Sequence, residues 1–384
     1  MSSSTCSSGT LVVDREGAQR ALAVLSKYPR LSFDTEGDGL FRYRTRLCMM
    51  QLGCREHVAL VDTLAFDALR EFEVLLGDQG PEKVIHDASF DARVLFAHGV
   101  RLGRVFDTAV AARFLGLKAT GLSSLLLAFF QLELPKEKQQ ADWGVRPLDD
   151  EAVRYLVDDV RHLEALADLL LERARALDIE AEVREECAYL LSEAQRPVAE
   201  VPPWTRLKGA LTRPPEERAR LRELFAEREA LARELDAPPG RLVPNEVLSK
   251  LGEHAEVEEA QLLRWLGNKA AAHAARFREA LARARGVADA PEAEIRGQVS
   301  PPVSPAELAR RKTRKRLLTE MRAREAALRG VDPQVVLPGH CLSDIVDLSV
   351  VDLHSLRSVP GFGECRLSRY GARMVAELTP NWPR

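Results

Sequence analysis

Carboxylates set inside apolar runs constrain this chain more than any other feature. Asp34 and Glu36 lie in LSFDTEGDGL, Asp91 in VIHDASFDARVLFAHGV and Asp159 in AVRYLVDDVRHLEAL. The runs read as strands and helices, so the acids fall at the ends of elements that one domain can bring together. Hard oxygen ligands of this kind hold Mg2+ or Mn2+. Two such ions about 3.5–4 Å apart clamp the attacking and the leaving oxygen of a phosphodiester. The placement suggests one site built from strand and helix ends, and it points to phosphodiester chemistry.

The flanking sequence supplies a scaffold. LSFDTEG, RLCMMQLG and HVALVD are apolar, β-rich stretches bounded by glycine and charge, the pattern of a central sheet. Helical patterns follow in EGAQRALAVLSKY, DALREFEVLLGD and SFDARVLFAHGV, with short strands at KVIHDA and VFD. DDEAVRYLVDDVRHLEALADLLLERARALD is expected to form one long helix. Alternating strands and helices with short links predict an α/β layered domain at 10–190. Beyond it the strand signal fades. RPVAEVPPWTR and PEAEIRGQVSPPVSP read as linkers, and the remaining segments as two small all-α modules at 203–285 and 305–380. They form a diverged internal repeat, not a solenoid.

With 384 residues, 46% of them apolar and 29% charged, the chain has material for real cores and a charged surface. No apolar run approaches the roughly 18–20 residues of a membrane span. The opening MSSSTCSSGT lacks the basic and apolar regions of a signal peptide and reads as a short disordered tail. Cysteines 6, 48, 54, 187, 341 and 365 are scattered without a C-x-x-C pair. That argues against structural zinc or a disulfide scaffold, and for reduced thiols in a cytoplasm. The net charge of −3 hides an asymmetry: residues 31–173 hold 24 acids against 17 basic residues, and residues 301–329 hold 9 basic residues against 3 acids. An acidic, cation-dependent region joined to a basic one suits a phosphate-backbone substrate.

Asp34 and Glu36, two apart on a strand, project from one face, with Leu31 and Phe33 on the opposite, buried one. Taken alone, D-T-E also reads as a polar strand end. Ser89 as an N-cap would put Asp91 in the first turn of a helix, where an acid also serves the helix dipole; His86 before it reads equally as a core or loop histidine. Tyr155 and Asp159, four apart, share one helix face, and Asp158 points away to the surface. Each piece is common; the ordered set is specific. Arg310, Arg311, Lys312, Arg314, Lys315 and Arg316 fill six of seven positions. They read either as a solvated helix start or as a phosphate-tracking surface whose affinity falls steeply with salt.

The motifs D-T-E, H-D-A-S-F-D and Y-L-V-D-D resemble the tyrosine-bearing branch of the DEDD exonuclease superfamily. KEKQQADWGVRPLDDEAVRYLVDDV is similar to the segment joining the second and third motifs in the ribonuclease D family. The two C-terminal modules resemble HRDC domains, the second with its VPGFGECRLSRYG ending. The resemblance implies an α/β nuclease domain, with a ribonuclease H-like mixed sheet and flanking helices, followed by two small all-α domains. It implies a 3′–5′ exoribonuclease that releases nucleoside 5′-monophosphates with two divalent ions, Mg2+ or Mn2+, and trims 3′ trailers of tRNA precursors and other small structured RNAs. On that reading Asp34, Glu36, Asp91 and Asp159 are metal ligands and Tyr155 orients the attacking water. Leu40 and Phe90 would wedge the terminal base, though Phe90 also reads as core. Lys138, with Gln139 and Trp143, would touch a phosphate or shield the site, and Asp107 reads as structural. Two features depart from the family pattern: Gly37-Asp38-Gly39 replaces a bulky residue after D-T-E, and Asp87 is an extra acid. A monomer in the cytoplasm, with RNA as partner and no membrane, completes the expectation. A DNA 3′–5′ exonuclease and a non-catalytic nucleic-acid-binding protein are the alternatives.

Overall fold

A computed structural model gives the fold and describes residues 9–135, 138–197, 201–295, 304–379 and 382. The expected tail at 1–8 with Cys6, residues 198–200 of the first linker and 296–303 of the second lie outside the described residues. Strands β1 (Thr10–Val12), β2 (Arg30–Gly37), β3 (Leu47–Cys54), β4 (His57–Asp62), β5 (Glu82–Ile85) and β6 (Val105–Asp107) form one sheet in the order β1-β4-β3-β2-β5-β6. β1 with β4, β2 with β5 and β5 with β6 pair in parallel, while β3 and β4 are antiparallel. The sheet is mixed, as expected. Every residue of β3, LCMMQLGC, is buried, which is why it carries no hydrophobic–polar alternation: both its faces are covered.

One face carries α1 (Arg15–Leu25), α2 (Ala68–Leu76) and α3 (Ser89–Ala97), packed through Leu25, Leu31, Phe33, Phe72 and Leu95. The other carries α4 (Thr108–Phe114), α5 (Leu122–Phe130), α6 (Asp150–Arg161), α7 (Leu163–Ala176) and α8 (Glu180–Ala194), with Phe106, Phe114, Leu156, Val160 and Leu170 at its centre. The long helix expected over 149–178 is broken. His162, at φ −103° and ψ −5°, ends α6 and starts α7. The break lets α6 lie on β3 and β4 while α7 turns its apolar stripe onto α4 and β5. Ser89 does not cap α3 either: it is the first helical residue, and Ala88 before it offers no side-chain bond. Asp107 on β6 instead holds the turn that precedes α3. Its carboxylate accepts from Asp87 N (3.1 Å) and Ala88 N (2.9 Å) and also caps α4 through Ala109 N (2.8 Å).

The chain divides into two compact units. One draws on Met1–Glu36, Leu47–Arg196 and Val303–Arg384, the other on Gly37–Arg46 and Pro197–Pro302. In the first, the last helices, α15 (Pro305–Arg329), α16 (Pro333–Val336), α17 (Gly339–Val346), α18 (Leu353–Arg357), α19 (Glu364–Arg366) and α20 (Ala372–Leu378), surround Leu318, Met321, Ile345 and Phe362. These helices are fastened to α8. Arg366, fully buried, donates to Val335 O, Gly361 O and Phe362 O and faces Glu186 at 3.4 Å; Arg329 reaches Glu182 at 2.6 Å. Tyr189 stacks on His340 at 4.3 Å. Gly361 sits beneath that stack at φ +74°, where a Cβ would lie 2.8 Å from the tyrosine ring. The second unit holds α9 (Pro215–Glu234), α10 (Pro239–Leu242), α11 (Asn245–Gly252), α12 (Glu259–Ala270), α13 (Ala274–Arg283) and α14 (Glu292–Ile295) around Trp204, Leu224, Leu248 and Phe277. The loop after β2 belongs to it: Tyr43 N donates to Asp236 at 3.2 Å, and the Arg241 guanidinium lies over the Phe41 ring at 5.1 Å.

No helix among the described residues is long and apolar enough to cross a membrane. Cys48, Cys54, Cys187, Cys341 and Cys365 are free thiols.

Candidate active site

β2 sets the site. Its odd residues Leu31 and Phe33 are fully buried in the core on one face, so Asp34 and Glu36 project together from the other. α6 crosses that second face and brings Asp159 down to them. Carboxylate oxygens of Asp34, Glu36 and Asp159 all lie within 4.8 Å of one another. Asp91, buried in the first turn of α3, is outside this trio; its carboxylate accepts the Thr35 hydroxyl at 2.5 Å. Its charge still bears on both β2 acids.

The electrostatics follow from burying like charges. Burial, and then Asp91, Asp159 and Glu36, push the Asp34 carboxyl well above the usual carboxylate range. Burial with Asp159 and Asp91 pushes Glu36 up to about 9. Burial raises Asp91 to about 7 against the opposing Thr35 bond, and Asp159 to about 7 against the opposing Tyr155 bond. Near neutrality such a cluster must bind protons or cations. Four carboxylates without a basic partner among the described residues suit hard divalent ions, so the donor set fits such a metal. Tyr155 is buried beside them and donates to Asp159; burial and the surrounding acids raise its pKa. It is therefore a phenol at working pH, a donor and not a base.

The segment before α6 holds Tyr155 in place. Trp143, 2% exposed, packs its ring 5.7 Å from that of Tyr155. Arg146 anchors the segment by donating to both Asp62 oxygens (2.6 and 2.9 Å), to Cys48 O (3.0 Å) and to Trp143 O (2.7 Å). The sequence reading missed Arg146 and Asp62, because nothing local links residues 84 apart. Trp143 thus packs. Lys138 is engaged: its ammonium binds Asp149 at 2.8 Å at the start of α6, while Gln139 is exposed. Leu40 (44%) and Phe90 (47%) are both exposed, so Phe90 is not core. His86 bonds Thr108 at 2.9 Å, and Asp158, expected at the surface, is half-buried against Arg161. Asp87 is exposed, with φ +63°.

The basic run needs one correction. Arg314 is buried, donates to Val346 O at 3.0 Å and lies over the Trp382 ring at 4.4 Å. It belongs to a core-facing stripe with Leu318 and Met321, which the run of charges masked. Arg310 and Arg311 pair with Glu307, Arg311 also with Asp347, and Arg316 with Glu320. Lys312 and Lys315 are exposed.

An acidic trio on a strand and a helix, with a phenol beside it on a mixed α/β sheet, is a group that could hold a divalent cation. Known proteins agree. Residues 10–174 match the 3′-5′ exonuclease family, and residues 217–281 and 312–378 each match the HRDC domain. Ribonuclease D of Granulibacter bethesdensis is 31% identical over 293 residues, 74% of this chain and 73% of that one. Ribonuclease D of Zymomonas mobilis is 28% identical over 261 residues, 67% of each chain. The crystal structure of Escherichia coli RNase D, an exoribonuclease involved in structured RNA processing, shares the fold with a TM-score of 0.72 at 20% identity, covering 98% of this chain and all of that one. The chain belongs to the ribonuclease D family. A nuclease domain of this type and the acidic cluster together imply dependence on divalent metal.

Proposed function

We propose that this chain is a 3′–5′ exoribonuclease that hydrolyses the terminal phosphodiester of RNA and releases nucleoside 5′-monophosphates with two divalent ions, Mg2+ or Mn2+. The observation that carries the reading is the cluster of Asp34, Glu36 and Asp159, whose carboxylate oxygens lie within 4.8 Å of one another, in a chain of the ribonuclease D family. Bound there, the ions would supply a hydroxide near neutral pH and charge stabilisation for the leaving 3′ oxygen. Asp34, Glu36 and Asp159 would ligate them, and Asp91, tied to Thr35, would act from the edge. Tyr155 orients the attacking water through its hydroxyl; with its pKa raised it keeps its proton and cannot serve as the base. Phe90 offers exposed apolar surface for the terminal base, and Arg310, Arg311, Lys312, Lys315 and Arg316 offer charge for the RNA backbone.

The natural substrates we assign are 3′ trailers of tRNA precursors and similar small structured RNAs, acted on by a monomer in the cytoplasm. The domains are taken as 10–190, 203–285 and 305–380. The test is a 5′-labelled tRNA with a short 3′ extension, incubated with Mg2+ or Mn2+ beside an Asp159→Asn control. A ladder shortening from the 3′ end, absent in the control, supports the reading. Intact RNA beside a shortened DNA strand moves it to a DNA exonuclease, and no cleavage of either moves it to a binding role.

A further inference from the structure

Gln51 is a polar side chain with no part in the account above. It sits within β3, is wholly buried, and neither its Oε1 nor its Nε2 has a hydrogen-bond partner among the described residues. Buried amides are almost always paired, and an unpaired one disfavours the fold. A side chain kept there needs a partner that the working state supplies.

The register of the sheet supplies one. β2 and β3 are neighbours, and the chain reverses between them, with Asp38 N donating to Arg46 O at 3.3 Å. A Cβ on Gly53 would stand 2.3 Å from Ser32 Oγ and 3.6 Å from Val160 of α6, so Gly53 and Ser32 oppose each other beneath that helix. Side chains on one face recur every second residue. One step along each strand therefore sets Gln51 opposite Asp34, on the face that α6 covers with Tyr155 and Asp159. Opposed Cβ atoms stand about 4.5–5.5 Å apart, a span the glutamine amide bridges.

We propose that Gln51 is a positioning residue for the cation site: its Nε2–H donates to the Asp34 carboxylate when that carboxylate is a ligand, and so fixes which oxygen faces the ion. The inference rests on Asp34 being a ligand, as assigned above. The amide then disfavours the metal-free protein and favours the loaded one, which links metal binding to the order of β2 and β3. Removing a group that orients a metal-bound side chain typically weakens affinity by about 10–100-fold.

The test uses the full chain and Gln51→Met, close in volume and apolar. Mn2+ affinity is read from the free-ion electron paramagnetic resonance signal, and metal-free melting is followed in EDTA. The expected result is a metal-free melting temperature equal to or above wild type, with a Kd for Mn2+ raised at least about tenfold. An unchanged Kd overturns the proposal, and so does a lower metal-free melting temperature, which is what a purely structural amide would give. Asp34→Asn run alongside separates the two readings. If it binds Mn2+ like wild type, the assignment of Asp34 falls; if it binds weakly while Gln51→Met binds normally, Gln51 alone loses its role.

Discussion

Glu36→Gln should make the metal-free protein more stable while removing its activity. In the folded chain the Glu36 carboxyl is pushed from its ordinary 4.5 up to about 9, by burial and by Asp159 and Asp91. The sign follows from linkage: between those values the folded state holds a proton that the unfolded state has released, so stability falls as pH rises through that window. At pH 7 the unfolded carboxyl lies well past its pKa, which at about 1.4 kcal/mol per pH unit corresponds to a penalty of about 3 kcal/mol. Since Asp159 and Asp91 share the repulsion, about 2 kcal/mol is assigned to Glu36, or about 4–8 °C in melting temperature for a domain of roughly 150–250 residues.

Glutamine keeps the shape and carries no charge, so the gain should be near zero at pH 5 and largest at pH 9. The assay is thermal melting of wild type and Glu36→Gln in EDTA at pH 5, 7 and 9, repeated with Mn2+. Manganese should raise the wild-type midpoint more than that of the variant, because it neutralises the repulsion that the variant already lacks. A variant that melts at or below wild type at pH 9 without metal would refute the reasoning.

Three further perturbations test the rest. Tyr155→Phe should lower kcat by about 10²-fold through loss of water orientation, with Mn2+ affinity and the KM for RNA unchanged; single-turnover kinetics and metal titration separate these. Arg366→Met strips the partner from Glu186 and from three backbone carbonyls, so chemical denaturation should show a loss of about 3–5 kcal/mol, and a wild-type midpoint would contradict the fastening described for α8. Replacing Arg310, Arg311, Lys312, Lys315 and Arg316 by Gln should flatten the salt dependence of RNA binding by about 0.7–0.9 per lost phosphate contact. Arg314→Gln alone should cost stability and leave that slope intact, as filter binding and melting will report.

How much of this was legible in the sequence depended on how local each signal was. The D-T-E spacing on a strand and the four-residue step from Tyr155 to Asp159 are periodicities, and the structure keeps both. The order of motifs carried the family, and runs of β-rich residues carried the sheet. The break at His162 was invisible because each half has a sound helical stripe; only the different partners of α6 and α7 separate them. Arg314 was misread because charge dominates its neighbourhood, while its depth is set by Val346 and Trp382, far along the chain. Ser89 looked like a cap by local chemistry, yet Asp107 binds the amides at that turn from another strand. Gln51 did leave a trace, an amide in the apolar run LCMMQLG, but its lack of a partner appears only in three dimensions.

The other buried acids show what sets the cluster apart. Asp38 is held by Arg46, Asp62 by Arg146, Glu182 by Arg329 and Glu325 by Arg373, while Asp107 takes backbone N–H groups from the starts of two helices. Burial alone would raise the Asp62 carboxyl, but the Arg146 bonds and neighbouring amides bring it below its ordinary value. This fold thus commonly supplies a cation or a set of donors to an acid that it buries. Glu186 faces Arg366, and burial still raises its carboxyl against that guanidinium; at Asp34, Glu36, Asp91 and Asp159 all four pKa values rise as well, but the side-chain donors that oppose the rise are the hydroxyls of Thr35 and Tyr155 and not a guanidinium. A chain that matches Asp62 with Arg146 had the means to neutralise this cluster internally. Leaving it unneutralised is unfavourable to folding and useful only if the positive charge arrives from solution, which is the physical case for a divalent-ion site at this end of β2.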